Sequence, residues 1–379
     1  MDLDSKYPAL SDLAARAKRR IPRFAWDYLD SGTGVESAMK RNRAKLDEVL
    51  FNPAILSGEF DFDLSTTFLN RQYPLPFGIA PVGMSGLMWP DAERILARLG
   101  RDESIPYSLS TVAAQTPETV GPHVGPDAWF QLYPPRDPDI RVDLLKRFRD
   151  AGFKTLVLTA DVPVASRRER QIRGGMSTPP KLTPRILAQI ATRPAWAMGT
   201  MRVGMPRLRT IESYTGNQGA LSSTKHIGYL IRTSPDWEYL KWLRDHWDGP
   251  MMVKGVLTPG EAVKLKEHGV DAAWVSNHAG RQFDAAPATI EVLPAIRDAV
   301  GPDYPLVVDG GIAGGLDILR ALALGANFVM LGRAFHYGVA AAGEQGAAHV
   351  VHILREDIKS NLGQMGLATF DGLAGQLRR

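Results

Sequence analysis

From about residue 70 onward, short apolar runs alternate with segments whose apolar residues recur at helical spacing. The runs are Pro76–Ala80, Tyr107–Ser110, Trp129–Leu132, Thr155–Thr159, Met251–Lys254, Ala272–Ser276, Leu306–Asp309 and Phe328–Leu331, eight in all. Continuous apolar stretches of this length read as strands buried on both faces, as in a parallel sheet. Between them, Ala92, Ile95, Leu96 and Leu99, or Ile140, Leu144, Leu145 and Phe148, fall on one face of a helix. Thr258-Pro-Gly-Glu261 reads as a helix start, with a capping threonine, proline at the first helical position and glutamate three residues on. Eight repeats of strand and helix predict an α/β fold closed into a (β/α)8 barrel, with the whole chain, 1–379, as one domain. Residues 1–70 read as a helical extension (Leu10 to Leu29, then Ala38 to Leu50), and residues 165–250 as a long insertion after the fourth strand.

Composition narrows the picture only slightly. A chain of 379 residues, 44% hydrophobic and 23% charged, can bury a large core. It has no cysteine, which excludes disulfides, thiolate metal sites and cysteine nucleophiles, and no metal ligand set is expected. The formal charge of +4 is too mild to argue for nucleic acid. No basic-then-apolar leader opens the sequence and no run approaches the ~18 apolar residues of a membrane span, so a cytoplasmic location is expected. Local charge says more. Between Gly174 and Thr210 lie six basic residues (Lys181, Arg185, Arg193, Arg202, Arg207, Arg209), no acidic one, and Ile186, Leu187, Trp196, Met198, Met201 and Met205. Such a segment suits either peripheral contact with the inner face of an anionic membrane or a solvated loop folded over the active site.

In a barrel of this kind, chemistry sits at the C-terminal ends of the strands. Just past the eight runs come Pro81-Val-Gly83, Ser110-Thr111, Gln131-Leu-Tyr133, Thr159-Ala-Asp161, Lys254, Ser276-Asn-His278, Asp309-Gly-Gly311 and Gly332-Arg333. His278 can act as a general base, and Arg281, three residues on, can hold a carboxylate by paired hydrogen bonds. The other seven histidines read as structural. Asp309-Gly-Gly-Ile-Ala-Gly-Gly315, opening a helix, and Gly332-Arg333 suit a phosphate in the loops after strands seven and eight. Lys254 suits either a Schiff base or a cation beside a developing anion. Of Arg167 and Arg168, one reads as a second carboxylate ligand and the other as solvated.

With these motifs in this order, the sequence resembles the FMN-dependent 2-hydroxy-acid dehydrogenase/oxidase family, which includes glycolate oxidase, L-lactate dehydrogenase and mandelate dehydrogenase. The similarity runs from Asp27-Tyr28 to Gly332-Arg333, nearly the whole chain, and is strongest to the bacterial lactate and mandelate dehydrogenases through Gly249–Gly255 and Leu331-Gly-Arg-Ala-Phe335. The resemblance implies FMN as cofactor and oxidation of a small L-2-hydroxy acid to a 2-oxo acid. It makes His278 the base and Asp161 its partner, with Arg281 and Arg168 on the substrate carboxylate. Tyr28 and Tyr133 then bind the substrate, Tyr133 with a catalytic part, and Lys254 faces the N1/O2 edge of the flavin. Ser110, Gln131, Thr159 and Ser276 are implied on the flavin ring, with Pro81, Val82 and Gly83 along it. Asp309 with Gly310 and Gly311 is implied on the ribityl-phosphate side, and Gly332 with Arg333 on the phosphate itself. Electrons are expected to pass to a quinone, with oxygen (an oxidase) or a cytochrome as alternatives, and a homotetramer is expected by analogy. The remaining alternative enzyme is an FMN- or phosphate-binding barrel acting as an isomerase or lyase through Lys254; a binding barrel without catalysis is the third reading.

Two positions depart from the family pattern. Ala313 stands where an arginine is usual, which predicts weaker retention of the flavin, and Ala279 replaces the glycine after the histidine. Gly83 and Val112 replace the alanine and tryptophan of glycolate oxidase beside the substrate side chain, which predicts a roomy pocket.

Overall fold

The computed structural model describes residues 2–176, 182–214 and 234–378. A short antiparallel hairpin, β1 (Thr66–Phe68) and β2 (Arg71–Tyr73), precedes eight parallel strands. These are β3 (Phe77–Ile79), β4 (Ser108–Ser110), β5 (Trp129–Leu132), β6 (Thr155–Thr159), β7 (Met251–Val256), β8 (Ala272–Val275), β9 (Leu306–Val308) and β10 (Phe328–Leu331). All eight expected strands are present, with ends shifted by two residues at most. Neighbours in sequence are neighbours in the sheet, β10 pairs back onto β3, and an Ile79–Tyr107 bridge joins β3 to β4. The sheet thus closes as a TIM barrel. Its interior is filled by Val157, Met252, Trp274, Val307 and Met330, all essentially without solvent contact.

The hairpin was not foreseen within the expected helical extension. It plugs the lower end of the barrel, with Phe68 and Tyr73 each 5.2 Å from the Phe328 ring and Phe68 also packed on Trp129. The extension itself forms helices Leu10–Arg20, Arg23–Asp30 and Ser37–Asp47. Pro22 splits the expected single helical run, because proline forces the preceding Ile21 into an extended conformation (φ −108°, ψ 156°). Leu13 and Ala17 bury the first helix against the C-terminal helical segment Arg333–Gln364, which is broken at Ala342–Gly343. The Thr258 hydroxyl accepts the Glu261 N–H as expected and starts the helix Pro259–Glu267.

The basic insertion is helical where it is described. Helices Pro184–Ala191 and Pro194–Val203 turn Ile186, Trp196 and Thr200 inward. Trp196 donates its indole N–H to Leu87 O (3.0 Å) and meets Phe24 edge-on, while Gln189 accepts the Phe24 N–H (2.9 Å). The outer side shows Leu182, Leu187, Met198, Met201 and Met205, each half exposed or more. Lys181 lies outside the described residues. No helix among the described residues is long and apolar enough to cross a membrane.

Candidate active site

The strand-end residues converge on one cavity of about 530 Å3 at the upper mouth of the barrel. Tyr28, Pro81, Val82, Gly83, Ser110, Val112, Gln131, Tyr133, Thr159, Arg168, Lys254, His278, Arg281, Asp309, Gly310, Gly311, Gly332 and Arg333 all line it. Of the residues singled out for the site in the sequence, Asp161 and Ser276 sit one layer behind, and Arg167 points to solvent, which leaves Arg168 as the arginine of that pair in the cavity. Asp161 accepts from His278 Nδ1 at 3.0 Å. Ser276 Oγ accepts from Lys254 Nζ (2.5 Å) and from the His278 N–H (3.0 Å) and donates to Asp309 Oδ1 (2.6 Å). Ser276 therefore orients Lys254, His278 and Asp309 from behind the cavity wall.

His278 begins a tight turn, His278–Gly280, in which residues 278, 279 and 280 are all left-handed (φ 54°, 53° and 73°). The Asn277 side chain accepts the Gly280 N–H and exchanges hydrogen bonds with Asn42 of the extension, which holds this uncommon backbone in place. With Nδ1 committed to Asp161, Nε2 is the ring nitrogen left for chemistry. Burial lowers the His278 pKa from 6.5; Asp161 opposes the shift, and Lys254 and Arg168 add to it. Burial alone would raise the Asp161 carboxyl, but His278 and Lys254 hold it below its ordinary value. The dyad is a neutral imidazole against a carboxylate, able to take up a proton and to stabilise the imidazolium.

Two guanidiniums face the same space. Arg281 NH1 donates to the carbonyls of Tyr28 (2.8 Å), Leu29 (3.1 Å) and Ser31 (2.9 Å), and its other donors remain for a ligand. Arg168 is anchored through Nε to Ser166 Oγ at 3.0 Å. Burial, followed by the like charges of Arg168 and Arg333, lowers Arg281 to about 9, so it is still a cation at neutral pH. Two half-buried cations beside a base offer the chemistry that a small carboxylate needs. Lys254 is paired with Asp309 (2.9 Å) and stands over Trp274, so its amine is a poor Schiff-base nucleophile.

The wall suits a flavin. Gln131 Nε2 and Thr159 Oγ1 are buried without a partner on the neighbouring strands β5 and β6, while Ser110 steers the amide by donating to Gln131 Oε1 (2.6 Å). A polar-edged planar ring offers what these atoms lack. Gly310 and Gly311 adopt φ of 106° and 81°, and a Cβ on Gly311 would stand 2.9 Å from Asn42, so the backbone approaches closely there. The expected anion site at the start of helix Gly315–Ala323 is only partly open. Asp317 accepts the Ala313 N–H and Asp357 the Leu316 N–H. What remains for a phosphate is the Gly310–Ile312 backbone, Gly332 and Arg333.

Several lining residues carried no sequence signal, among them Arg43 and Tyr337. Behind Val112 sit Ile211 and Leu208 of the insertion, so the insertion braces one wall of the cavity, and none of residues 182–214 lines it.

The FMN-dependent dehydrogenase family model matches residues 17–378. This chain belongs to that family. An L-lactate dehydrogenase of Stenotrophomonas maltophilia is 39% identical over 355 residues, covering 93% of each chain. Among solved structures, the chain is similar to a monotopic membrane protein, (S)-mandelate dehydrogenase, with a TM-score of 0.92, 32% identity and 98% of both chains covered. A mandelate oxidase superposes with a TM-score of 0.83 at 31% identity, again over 98% of both. The protein is an FMN-dependent oxidoreductase acting on 2-hydroxy acids.

Proposed function

We propose that this enzyme oxidises L-2-hydroxy acids from lactate to mandelate in size, with His278 as the base. The observation that carries this reading is the His278–Asp161 dyad facing Arg168 and Arg281 across one cavity. Both arginines hold the substrate carboxylate, and Tyr28 and Tyr133 bind its polar atoms. Burial, then the nearby Asp161, raises the Tyr133 phenol, so it stays a neutral hydrogen-bond donor. His278 Nε2 takes a proton from the substrate and Asp161 stabilises the imidazolium. FMN, when bound, would supply the redox chemistry, taking up the two electrons and the second hydrogen that the substrate loses, with Gln131, Thr159 and Lys254 against its ring. A steady-state assay with L-lactate, L-mandelate and an artificial electron acceptor tests the reading. Turnover of neither acid would refute it.

Substrate breadth follows from Gly83 and Val112. A Cβ on Gly83 would lie 2.6 Å from Val112 Cγ2 and 3.5 Å from the Tyr28 hydroxyl, which itself donates to Gly83 O. At 2.6 Å something must shift, and because Val112 is backed by Ile211 it gives toward the cavity, which the added methyl narrows further. Gly83→Ala is expected to lower the mandelate-to-lactate ratio of kcat/KM by about tenfold or more, at ~1–3 kcal/mol per misfitting group. A ratio that does not fall would remove Gly83 from the pocket.

The outer face of the insertion supports peripheral membrane contact and a quinone acceptor. Leu187, Met198 and Met201 stand out beside Arg185 and Arg202, the chemistry of an anionic lipid surface. Deleting the insertion would uncover Phe24 and Leu87, so point changes are the cleaner probe. Wild type is expected to sediment with phosphatidylserine vesicles. Arg185→Gln with Arg202→Gln should weaken binding by at least fivefold, at about 1 kcal/mol per charge. Wild type wholly in the supernatant at low salt would contradict membrane docking.

A further inference from the structure

The two proposed carboxylate ligands come from different loops, Arg168 after β6 and Arg281 after β8, and as like charges they repel. What brings them together is the end of the helix Arg23–Asp30. Its last carbonyls have no partner within the helix and carry the negative end of its dipole, which suits cations. The two N–H groups of one Arg281 terminal nitrogen are shared among the carbonyls of Tyr28, Leu29 and Ser31, and Arg333 uses the same Leu29 and Ser31 carbonyls (3.3 Å each). The arginine proposed for the substrate and the one proposed for the cofactor phosphate therefore share one turn.

That turn is pinned at Asp30, which does not line the cavity. One carboxylate oxygen accepts from the Tyr337 hydroxyl and the other from Arg170 NH1, both at 2.7 Å. Arg170 stands two residues beyond Arg168, on the helix Glu169–Gly174. The same helix is tied to the turn by Gln171 Nε2 to Ser31 Oγ (3.2 Å), and by the Gly34 N–H to Glu169 (3.0 Å). Glu36 is the second carboxylate facing Arg170, at 2.9 Å. One ion pair thus joins the element that aims Arg168 to the turn that aims Arg281.

Resting on the functional reading above, we infer that Asp30 is a positioning residue for substrate recognition, holding Arg168 and Arg281 at the spacing one carboxylate needs. Because it acts on carboxylate binding and touches no reacting atom, its loss acts on KM and leaves kcat nearly intact. Asp30→Asn keeps the shape and removes the charge.

The test uses purified holoenzyme. Steady-state constants for L-lactate are measured together with the Kd of pyruvate, read from the flavin absorbance. In Asp30→Asn, KM and the pyruvate Kd should rise together by about tenfold, near 1.4 kcal/mol of binding, with kcat per bound flavin within about twofold. Asp30→Glu should recover most of the affinity. Arg170→Gln attacks the same pair from its other end and serves if Asp30→Asn does not fold; it should give the same split, and the double variant should be no worse than the worse single one. Unchanged KM and Kd, or a fall in kcat without them, overturns the inference. A wild type that binds pyruvate yet oxidises no 2-hydroxy acid would instead overturn the functional reading.

Discussion

Replacing His278 with alanine is expected to leave a folded, yellow protein whose turnover of L-2-hydroxy acids falls by roughly 10²–10⁴-fold, the usual worth of a general base. His278 sits at φ 54°, where a non-glycine side chain costs roughly 1–2 kcal/mol. His278→Asn is the better-matched control, because asparagine tolerates that backbone. Both variants should be nearly inactive while retaining flavin. The pH profile of wild type checks the same assignment. His278 must be neutral to accept a proton, and its pKa is lowered from 6.5. The neutral form therefore predominates at neutral pH and is lost as pH falls through the folded pKa, so the acid limb of kcat/KM should lie below pH 6.5. Asp161→Asn removes the group that raises this pKa, and should move the limb further toward acid while slowing turnover. Near-normal activity in His278→Ala, or an acid limb above the ordinary histidine range, would remove His278 from the role of base.

Arg281→Lys is expected to lower kcat/KM for L-lactate by roughly 10–100-fold, although the charge is kept. A hydrogen bond to a charged group contributes about 1.5–3 kcal/mol, and lysine cannot supply Arg281's geometry. Arg281 spends NH1 on three carbonyls and keeps its remaining donors for the ligand. A single ammonium must either stay with the carbonyls or leave them. The measurement is kcat/KM together with the pyruvate Kd, and a lysine variant equal to wild type would show that Arg281 does not grip the carboxylate.

The barrel was readable because each strand is buried on both faces and so appears as an unbroken apolar run, such as Thr155–Thr159 or Phe328–Leu331. Residues at the strand ends were readable because barrel geometry fixes where such ends must meet. Three features were hidden. The hairpin of β1 and β2 is too short, and too polar at Thr66, Thr67, Arg71 and Gln72, to stand out from a loop. Asp30 and Arg170 are 140 positions apart, and nothing local links them until the fold does. Ser276 shared a motif with His278, and the spacing could not show that its hydroxyl takes a hydrogen bond from Lys254. Conversely, the glycine-rich loop after β9 looked like an open helix N-terminus, but Asp317 and Asp357 already occupy N–H groups there. Backbone donors can be counted from sequence, while their partners depend on distant side chains.

The most direct test mixes the purified yellow protein with L-lactate, and separately with L-mandelate, in the absence of oxygen and any acceptor, and follows the flavin absorbance. The account predicts rapid bleaching by at least one of the two, one flavin reduced per 2-oxo acid formed, and bleaching slowed by roughly 10²-fold or more in His278→Ala. A flavin that stays oxidised in wild type with both acids, or bleaches as fast without His278, would contradict it.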